Sequence, residues 1–279
     1  MKTVGVLGLG IIGRVWAGHY AAVGALAGAW NRTPKPDCPK WQSSAEAVAR
    51  AAEVIQIVVA DPPSVSGILD TILPALDAGK IVIQSSTIDP ESSENFRQRV
   101  LGRGARYLEA PFTGSKPAAE QKQTVFYLGG DKALIDELEP VLSLISGTRF
   151  QIGTNRQATA LKLAMNLNIA AQMQGLVEAL TIARRAGIGD EIFFNVLGKN
   201  VGYSGLTKLK EPKLRQADFA PQFSVKHLLK DLRLASKING CEDFPLLDTL
   251  RDQLAAAERE GLGDEDFSAI VKLMETDRG

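Results

Sequence analysis

Through the first half of the chain, short apolar runs alternate with stretches whose apolar residues recur at helical spacing. The runs fall at residues 3–7, 25–30, 54–60, 80–84, 107–109 and 125–128 and predict strands, the last of them closing the set. Between them the spacing predicts a helix through Val15, Trp16, His19, Tyr20 and Val23, then helices at residues 44–52, 65–76 and 90–101. Strand and helix in alternation predict a mostly parallel sheet with helices on both faces. From residue 157 the rhythm changes. Residues 157–187 hold strong helix formers, no proline, and Gly175 as the only glycine before Gly187. At roughly 1.5 Å per residue such a helix is about 45 Å long, wider than a small domain, which predicts a rod shared by two domains. Apolar residues surround most of its circumference, which predicts burial on nearly every side. Helices alone follow, at residues 190–197 with Asp190 as N-cap, then 206–214, 224–238, 245–260 and 267–274, with Gly261 and Gly263 turning the chain. The organisation expected is one domain over residues 1–155, a joining helix over 156–187 and an all-helical domain over 188–279.

The first run leads straight into Gly8-Leu9-Gly10-Ile11-Ile12-Gly13, and the second ends at Asn31-Arg32-Thr33-Pro34. Strand, glycine turn, helix and strand within some thirty residues is the context of a Rossmann-type dinucleotide site. Gly8 permits the turn, Gly10 lets the backbone approach a pyrophosphate, and Gly13 allows close packing of helix on strand. The amides of Ile11 and Ile12 open the helix toward the phosphates. An NAD site expects an acid at the end of the second strand to hold the ribose hydroxyls. Asn31, Arg32 and Thr33 stand there instead, and no acid follows until Asp37. A guanidinium beside hydroxyl and amide groups suits a 2′-phosphate, so NADP(H) is expected over NAD(H); an exposed loop charge is the other reading of Arg32.

Ligands on such a sheet sit beyond the carboxyl ends of its strands. Ala60-Asp61-Pro62-Pro63 and Ser85-Ser86-Thr87 occupy two of those ends and are expected to wall the cofactor, although both read equally as turn chemistry. The next end is Glu109-Ala110-Pro111-Phe112-Thr113-Gly114-Ser115-Lys116. Amides and hydroxyls around Thr113, Gly114 and Ser115 make a trap for a small carboxylate, with an ordinary glycine–proline loop as the alternative. On the long helix, Lys162 and Glu178 are the only charges between Arg156 and Arg184, and Asn166 lies one turn beyond Lys162. Such a lysine either snorkels to water or does chemistry.

Thirty-two basic and thirty-two acidic residues cancel, leaving no electrostatic footprint for nucleic acid or an anionic membrane. No apolar run reaches the roughly eighteen residues of a spanning helix, and Met1 leads into a strand without a basic-then-apolar leader. Cys38 and Cys241 are far apart with no metal-ligand spacing, as expected of free thiols in a cytoplasmic protein without a metal. His19 and His227, the only histidines, lack a partnering acid at useful spacing, which argues against a histidine-based mechanism.

In their order GLGIIG, NRTP, SST, EAPFTGSK, LKLAMN and LLKDLRLA resemble the motifs of the β-hydroxyacid dehydrogenase family, over essentially the whole chain. The EAP-x-x-GSK loop with NRT is most similar to the glyoxylate/succinic semialdehyde reductase branch. The resemblance implies an α/β Rossmann-type, doubly wound domain followed by an all-α domain, joined by a long helix. It implies Lys162 as catalytic acid/base and Asn166 as a residue that helps fix either the substrate or the lysine. Thr113, Gly114 and Ser115 would then bind the substrate carboxylate, Thr87 and Lys230 would border the cofactor, and Asp231 would support them. On its own, Lys230 beside Asp231 and four residues from Lys226 reads as a solvated charged face. Three segments depart from the family: Ile12 stands where methionine is usual, Thr113-Gly114-Ser115 where Ser-Gly-Gly is usual, and Ala158 where glycine is common. Residues 195–206 fall where family members differ.

The activity expected is NADPH-dependent reduction of a small carboxylate-bearing aldehyde or keto acid to the hydroxy acid, or the reverse. Burial disfavours the charged form of a lysine, which suits an amine that must both give and take a proton. An imine reductase shares the architecture but generally lacks a lysine at this place. A non-catalytic NADP-binding protein would be expected to have lost the Lys162–Asn166 pair. Similar proteins form homodimers or homotetramers through the long helix and the helical domain, and the same is expected here.

Overall fold

The computed structural model describes residues Met1–Glu275. The chain divides into two compact units, one ending at Leu163 and the other beginning at Ala164.

The first unit starts with β1 (Val4–Leu7), α1 (Ile11–Ala22), β2 (Leu26–Trp30), α2 (Ala45–Ala51) and β3 (Val54–Ile57). It continues with α3 (Pro62–Ile72), β4 (Ile81–Gln84), α4 (Pro90–Leu101) and β5 (Arg106–Glu109). The helix starts are written locally. Ser44, Asp61 and Asp89 accept amide hydrogens from Ala47, Ser64 and Ser92, and Pro62 and Pro90 take the first helical positions where no amide is needed. The five strands are parallel in the order β2-β1-β3-β4-β5. A single parallel bridge from Ala29 to Trp41 continues past β2, so the outer strand of the usual dinucleotide-binding order is reduced to one residue. Trp16, Ala17 and Tyr20 of α1 pack on one face of the sheet, and helices α2, α3 and α4 cover the other with Val48, Leu69 and Phe96. Each such large apolar side chain contributes about 1.5–3 kcal/mol on burial.

Beyond β5 the structure adds elements that the apolar pattern does not predict: β6 (Phe112–Thr113), α5 (Lys116–Glu120), α6 (Lys132–Leu142) and β8 (Thr148–Gly153). Strand β7 (Val125–Gly129) is therefore not the last, because β8 pairs with it in parallel. The residues of β8 are exposed or half-buried, so no apolar alternation marks it, and α6 carries Pro140 inside its final turn. One antiparallel register runs through Glu109–Gly129, Phe112–Phe126 and Thr113–Val125. β5 and β6 are thus one strand interrupted at Ala110-Pro111, and with β7 they form an arm rising past the carboxyl ends of the parallel strands. β8 then returns the chain to the level of Glu109, where the long helix starts.

That helix, α7 (Asn155–Arg185), runs across the division between the units. The expectation of burial on nearly every side does not hold: Ala164, Asn168, Gln172, Gly175, Ala179 and Ile182 form an exposed stripe. Most of these side chains are small or polar, so water costs them little. The second unit continues with α8 (Asp190–Leu197), α9 (Gly205–Gln216), α10 (Val225–Ala235) and α11 (Pro245–Ala257). A wide turn over Glu258–Leu262 follows, in which Gly261 takes a φ of 82°, then a 3-10 segment (Phe267–Val271) and α12 (Lys272–Glu275). The N-cap of α8 is Gly189, not Asp190, whose carboxylate is engaged by the Arg184 guanidinium at 2.7 and 2.8 Å. A buried ion pair, Lys210 Nζ to Asp266 Oδ1 at 2.8 Å, ties α9 to the 3-10 segment. Among the described residues no helix is long and apolar enough to cross a membrane.

Candidate active site

The glycine turn lies at the carboxyl end of β1, beside the point where the sheet order reverses between β1 and β3. Gly8 has a φ of +108°, and a Cβ there would come within 2.2 Å of the Val58 carbonyl oxygen. At Gly13 a Cβ would meet the Gly8 carbonyl at 2.0 Å, so α1 starts hard against the turn. Around Gly10 the space a Cβ would fill is open. Gly10 is also the N-cap of α1, with no capping side chain and no acid in the first turn. The first amides, through Ile11 and Ile12, are left to an anion, and the cradle fits a dinucleotide pyrophosphate. Asn31 braces it: its Oδ1 accepts from Leu9 N and its Nδ2 donates to Thr33 O, both at 2.8 Å. Arg32 and Thr33 are exposed, and among the described residues no carboxylate pairs with Arg32.

The neighbouring strand ends are held by polar residues inside otherwise apolar runs. Asp61 caps α3 through Ser64 N at 2.8 Å with Pro62 behind it, so its side chain has a structural task beside any contact with cofactor; Ala60 is exposed. Tyr20 donates to Gln56 Oε1 at 2.8 Å. Gln84 Oε1 accepts from Ser86 N at 2.7 Å, and Ser86 Oγ accepts from Val59 N at 2.8 Å, which fixes the turn leading to half-buried Thr87. Gln84 Nε2 donates to Glu109 Oε1 at 2.7 Å. Gln56 and Gln84 escape a reading for motifs, and Glu109 enters one only as the first residue of its loop. The signal was present all the same: one polar residue near the end of each of three successive apolar strands.

Thr113 and Ser115 are half-buried and Gly114 exposed, on the outer part of the arm. Ser115 is the N-cap of α5 without using its hydroxyl as the cap. α5 rests on α1, where His19 Nε2 lies 3.0 Å from Ala119 O, so the helix behind the glycine turn also supports the loop carrying Thr113–Ser115.

α7 starts close to the sheet: a Cβ on Gly129 would lie 2.9 Å from Asn155 Cα and 2.7 Å from Ala158 Cβ. Asn155, Thr159, Lys162 and Asn166 recur at intervals of four, three and four, which puts them on one stripe of the helix. All four are buried; Lys162 is 8% exposed and Asn166 1%. In the second unit Asn166 Nδ2 donates to Asp231 Oδ2 at 2.6 Å, and Lys230 Nζ reaches Asp231 Oδ1 at 2.8 Å. His227 is turned to Ser224 Oγ at 2.7 Å, and burial followed by the charges of Lys230 and Lys226 holds its pKa below the ordinary value.

A nucleotide cradle at a sheet reversal, followed by a long helix and helical second unit, defines a dinucleotide-dependent dehydrogenase. Residues 3–153 match the model of the NAD-binding domain of 6-phosphogluconate dehydrogenase, and residues 157–274 match the NAD-binding domain of NADP-dependent 3-hydroxyisobutyrate dehydrogenase. The chain belongs to the β-hydroxyacid dehydrogenase family and is an NAD(P)-dependent oxidoreductase. Glyoxylate/succinic semialdehyde reductase 1 of Arabidopsis thaliana is 29% identical over 286 residues, covering 99% of each chain. The 3-hydroxyisobutyrate dehydrogenase of Mycobacterium tuberculosis shares the fold at a TM-score of 0.88 and 23% identity, over 99% of this chain and 100% of that one. An imine reductase from Myxococcus stipitatus aligns over 99% of this chain and 100% of its own with a TM-score of 0.65 and 18% identity.

Proposed function

We propose that this chain is an NADPH-dependent reductase of small carboxylate-bearing aldehydes of the glyoxylate or succinic semialdehyde type, running also in reverse. The observation that carries the reading is Lys162, an amine buried on α7 with the amide of Asn166 one turn further on. Bound NADPH supplies the hydride. Lys162 donates its proton to the aldehyde oxygen as that oxygen gains charge, and takes it back in the oxidation direction. Thr113, Gly114 and Ser115 hold the carboxylate, Asn166 fixes the reacting end, and Asp231 orients Asn166. Gly8, Gly10, Ile11, Ile12 and Gly13 cradle the pyrophosphate; Ala60, Asp61, Pro62, Thr87 and Lys230 border the cofactor. Arg32, with Asn31 and Thr33, receives the 2′-phosphate, and the missing acid at that strand end supports NADP(H) over NAD(H).

The same reading has residues 1–155 bind nucleotide, 156–187 join, and 188–279 complete the site, in a cytoplasmic homodimer or homotetramer. Exposed Ile182, Ile192, Val196 and Val201 in the second unit support a subunit surface, which light scattering tests. NADPH oxidation assayed with glyoxylate, succinic semialdehyde, tartronate semialdehyde and a cyclic imine tests the activity. Turnover of an aldehyde acid is expected. Turnover of the imine alone makes the chain an imine reductase, and NADPH binding with no turnover makes it a non-catalytic NADP-binding protein.

A further inference from the structure

Glu109 has no part in the proposed chemistry, yet it is 0% exposed and stands at the last position of β5, immediately before the interruption that starts the substrate arm. Three donors converge on its carboxyl: Ser93 Oγ of α4 at 2.6 Å, Tyr107 Oη of its own strand at 2.6 Å, and Gln84 Nε2 of β4 at 2.7 Å. The network extends to α7, because Asn155 Nδ2 donates to Ser93 Oγ at 3.0 Å and to Glu94 Oε2 at 3.1 Å. The buried Thr159 hydroxyl approaches the same carboxyl from α7 without a full hydrogen bond. Asn155 and Thr159 begin the stripe that continues to Lys162. Gln84 in turn holds the Ser86 turn that leads to Thr87. One carboxyl therefore joins the base of the substrate arm, a cofactor-wall turn and the start of the lysine-bearing helix.

We propose that Glu109 is a positioning residue, whose ionised carboxylate sets the arm carrying Thr113–Ser115 and the first turns of α7 in the arrangement the reaction needs. A carboxylate accepts from every side, which three converging donors require. A protonated carboxyl must donate once, so the Ser93 or Tyr107 hydroxyl turns to accept and its own hydrogen loses the carboxylate as acceptor. The groups facing it are Tyr107 from β5, Glu94 of α4 beyond Asn155, and neutral Gln84, Ser93 and Thr159; α7 carries Lys162 three residues past Thr159. Burial pushes the Glu109 pKa up to about 7, against the opposing hydrogen bonds from Ser93, Tyr107 and Gln84, so the carboxylate that sets the arrangement gives way to the neutral acid as pH falls through neutrality.

The inference rests on the reductase reading, and its test includes a measurement that does not depend on turnover. In the full chain, Glu109→Gln removes the charge at constant size, and Ser93→Ala cuts the link to α7 with little cost to the helix. With Glu109→Gln, kcat for glyoxylate is expected to fall about tenfold or more while the NADPH dissociation constant changes less than about twofold. The fall of kcat toward acid pH in the wild type is expected to be absent from Glu109→Gln. Amide exchange with NADPH bound is expected to change at residues 110–115 and 155–163 and to stay as in the wild type elsewhere. Ser93→Ala is expected to move exchange at 155–163 in the same direction, and it decides the matter if Glu109→Gln does not fold. Wild-type exchange in these segments overturns the proposal. So does a parallel loss of NADPH binding, activity and melting temperature with the acid limb unchanged. A wild-type chain inactive on every aldehyde acid sinks the reductase reading instead, and the exchange comparison alone then judges Glu109.

Discussion

Asn166 of α7 and Asp231 of α10 are joined by a 2.6 Å hydrogen bond between groups that are almost wholly buried. Asp231 uses its second oxygen for Lys230, so one carboxylate orients an amide proposed for substrate and an ammonium proposed for cofactor. Replacing Asp231 by Ala leaves the Asn166 amide without that acceptor, at a cost of about 1–3 kcal/mol. The expected outcome is a lower melting temperature together with a lower kcat and a raised KM for NADPH. Steady-state kinetics at a temperature where the variant is folded checks it.

Lys162→Ala is expected to lose about 10²-fold or more in turnover, the scale of lost acid–base catalysis, while NADPH binding measured by fluorescence is retained. Lys162→Arg is expected to fail as a rescue, because a guanidinium does not release its proton at working pH. Wild-type turnover in Lys162→Ala removes this amine from the chemistry.

Arg32 is exposed, and among the described residues no carboxylate competes for it. Arg32→Ala is expected to raise the KM for NADPH by about tenfold or more, since a charge-assisted contact contributes about 1.5–3 kcal/mol. The KM for NADH should change little. A ratio of the two cofactors' kcat/KM values that stays put in the variant rejects the assignment.

Lys210 and Asp266 are both buried, and Asp266 also accepts from Gln222 N at 3.0 Å and Ser268 Oγ at 2.8 Å. Burial holds the Lys210 pKa below its ordinary value, with the Asp266 charge opposing that shift. Lys210→Met strands a buried carboxylate and is expected to destabilise the second unit by about 3–5 kcal/mol, read from urea unfolding. Lys210→Met combined with Asp266→Asn is expected to recover part of the loss.

Glu109 also leaves a mark on stability. Its folded pKa, about 7, lies above the ordinary carboxyl value of 4.5, so the folded chain binds this proton more tightly than the unfolded chain does. Stability from this group is therefore fully present below about pH 4.5 and declines as pH rises toward 7. Across that window the wild type is expected to lose up to about 3 kcal/mol relative to Glu109→Gln, by the usual 1.4 kcal/mol per pH step. Urea midpoints at several pH values check the slope, and parallel curves for the two proteins contradict it.

Much of the nucleotide half was legible because each cue is local. Gly8–Gly13 must lie where a strand meets a helix, and Asp61-Pro62 and Asp89-Pro90 mark helix starts by their own chemistry. What escaped depends on partners distant in sequence. β8 is an outer strand without apolar alternation, and the single register through β5, β6 and β7 passes across Pro111, which reads as a break. Asp190 resembles a cap until Arg184 is seen to engage it. Lys162 and Asn166 stood out as polar residues on an apolar rod. In the sequence Glu109 is only the first letter of a loop motif, since the donors that converge on it come from α4, β4 and its own strand.

The arm bearing Thr113–Ser115 grows from the margin of the sheet, yet its α5 rests on α1, the helix that leaves the glycine turn. A change at the arm's tip therefore has a packed path to the helix behind that turn, and exchanging the tip is expected to disturb the coenzyme KM as well as the acid preference.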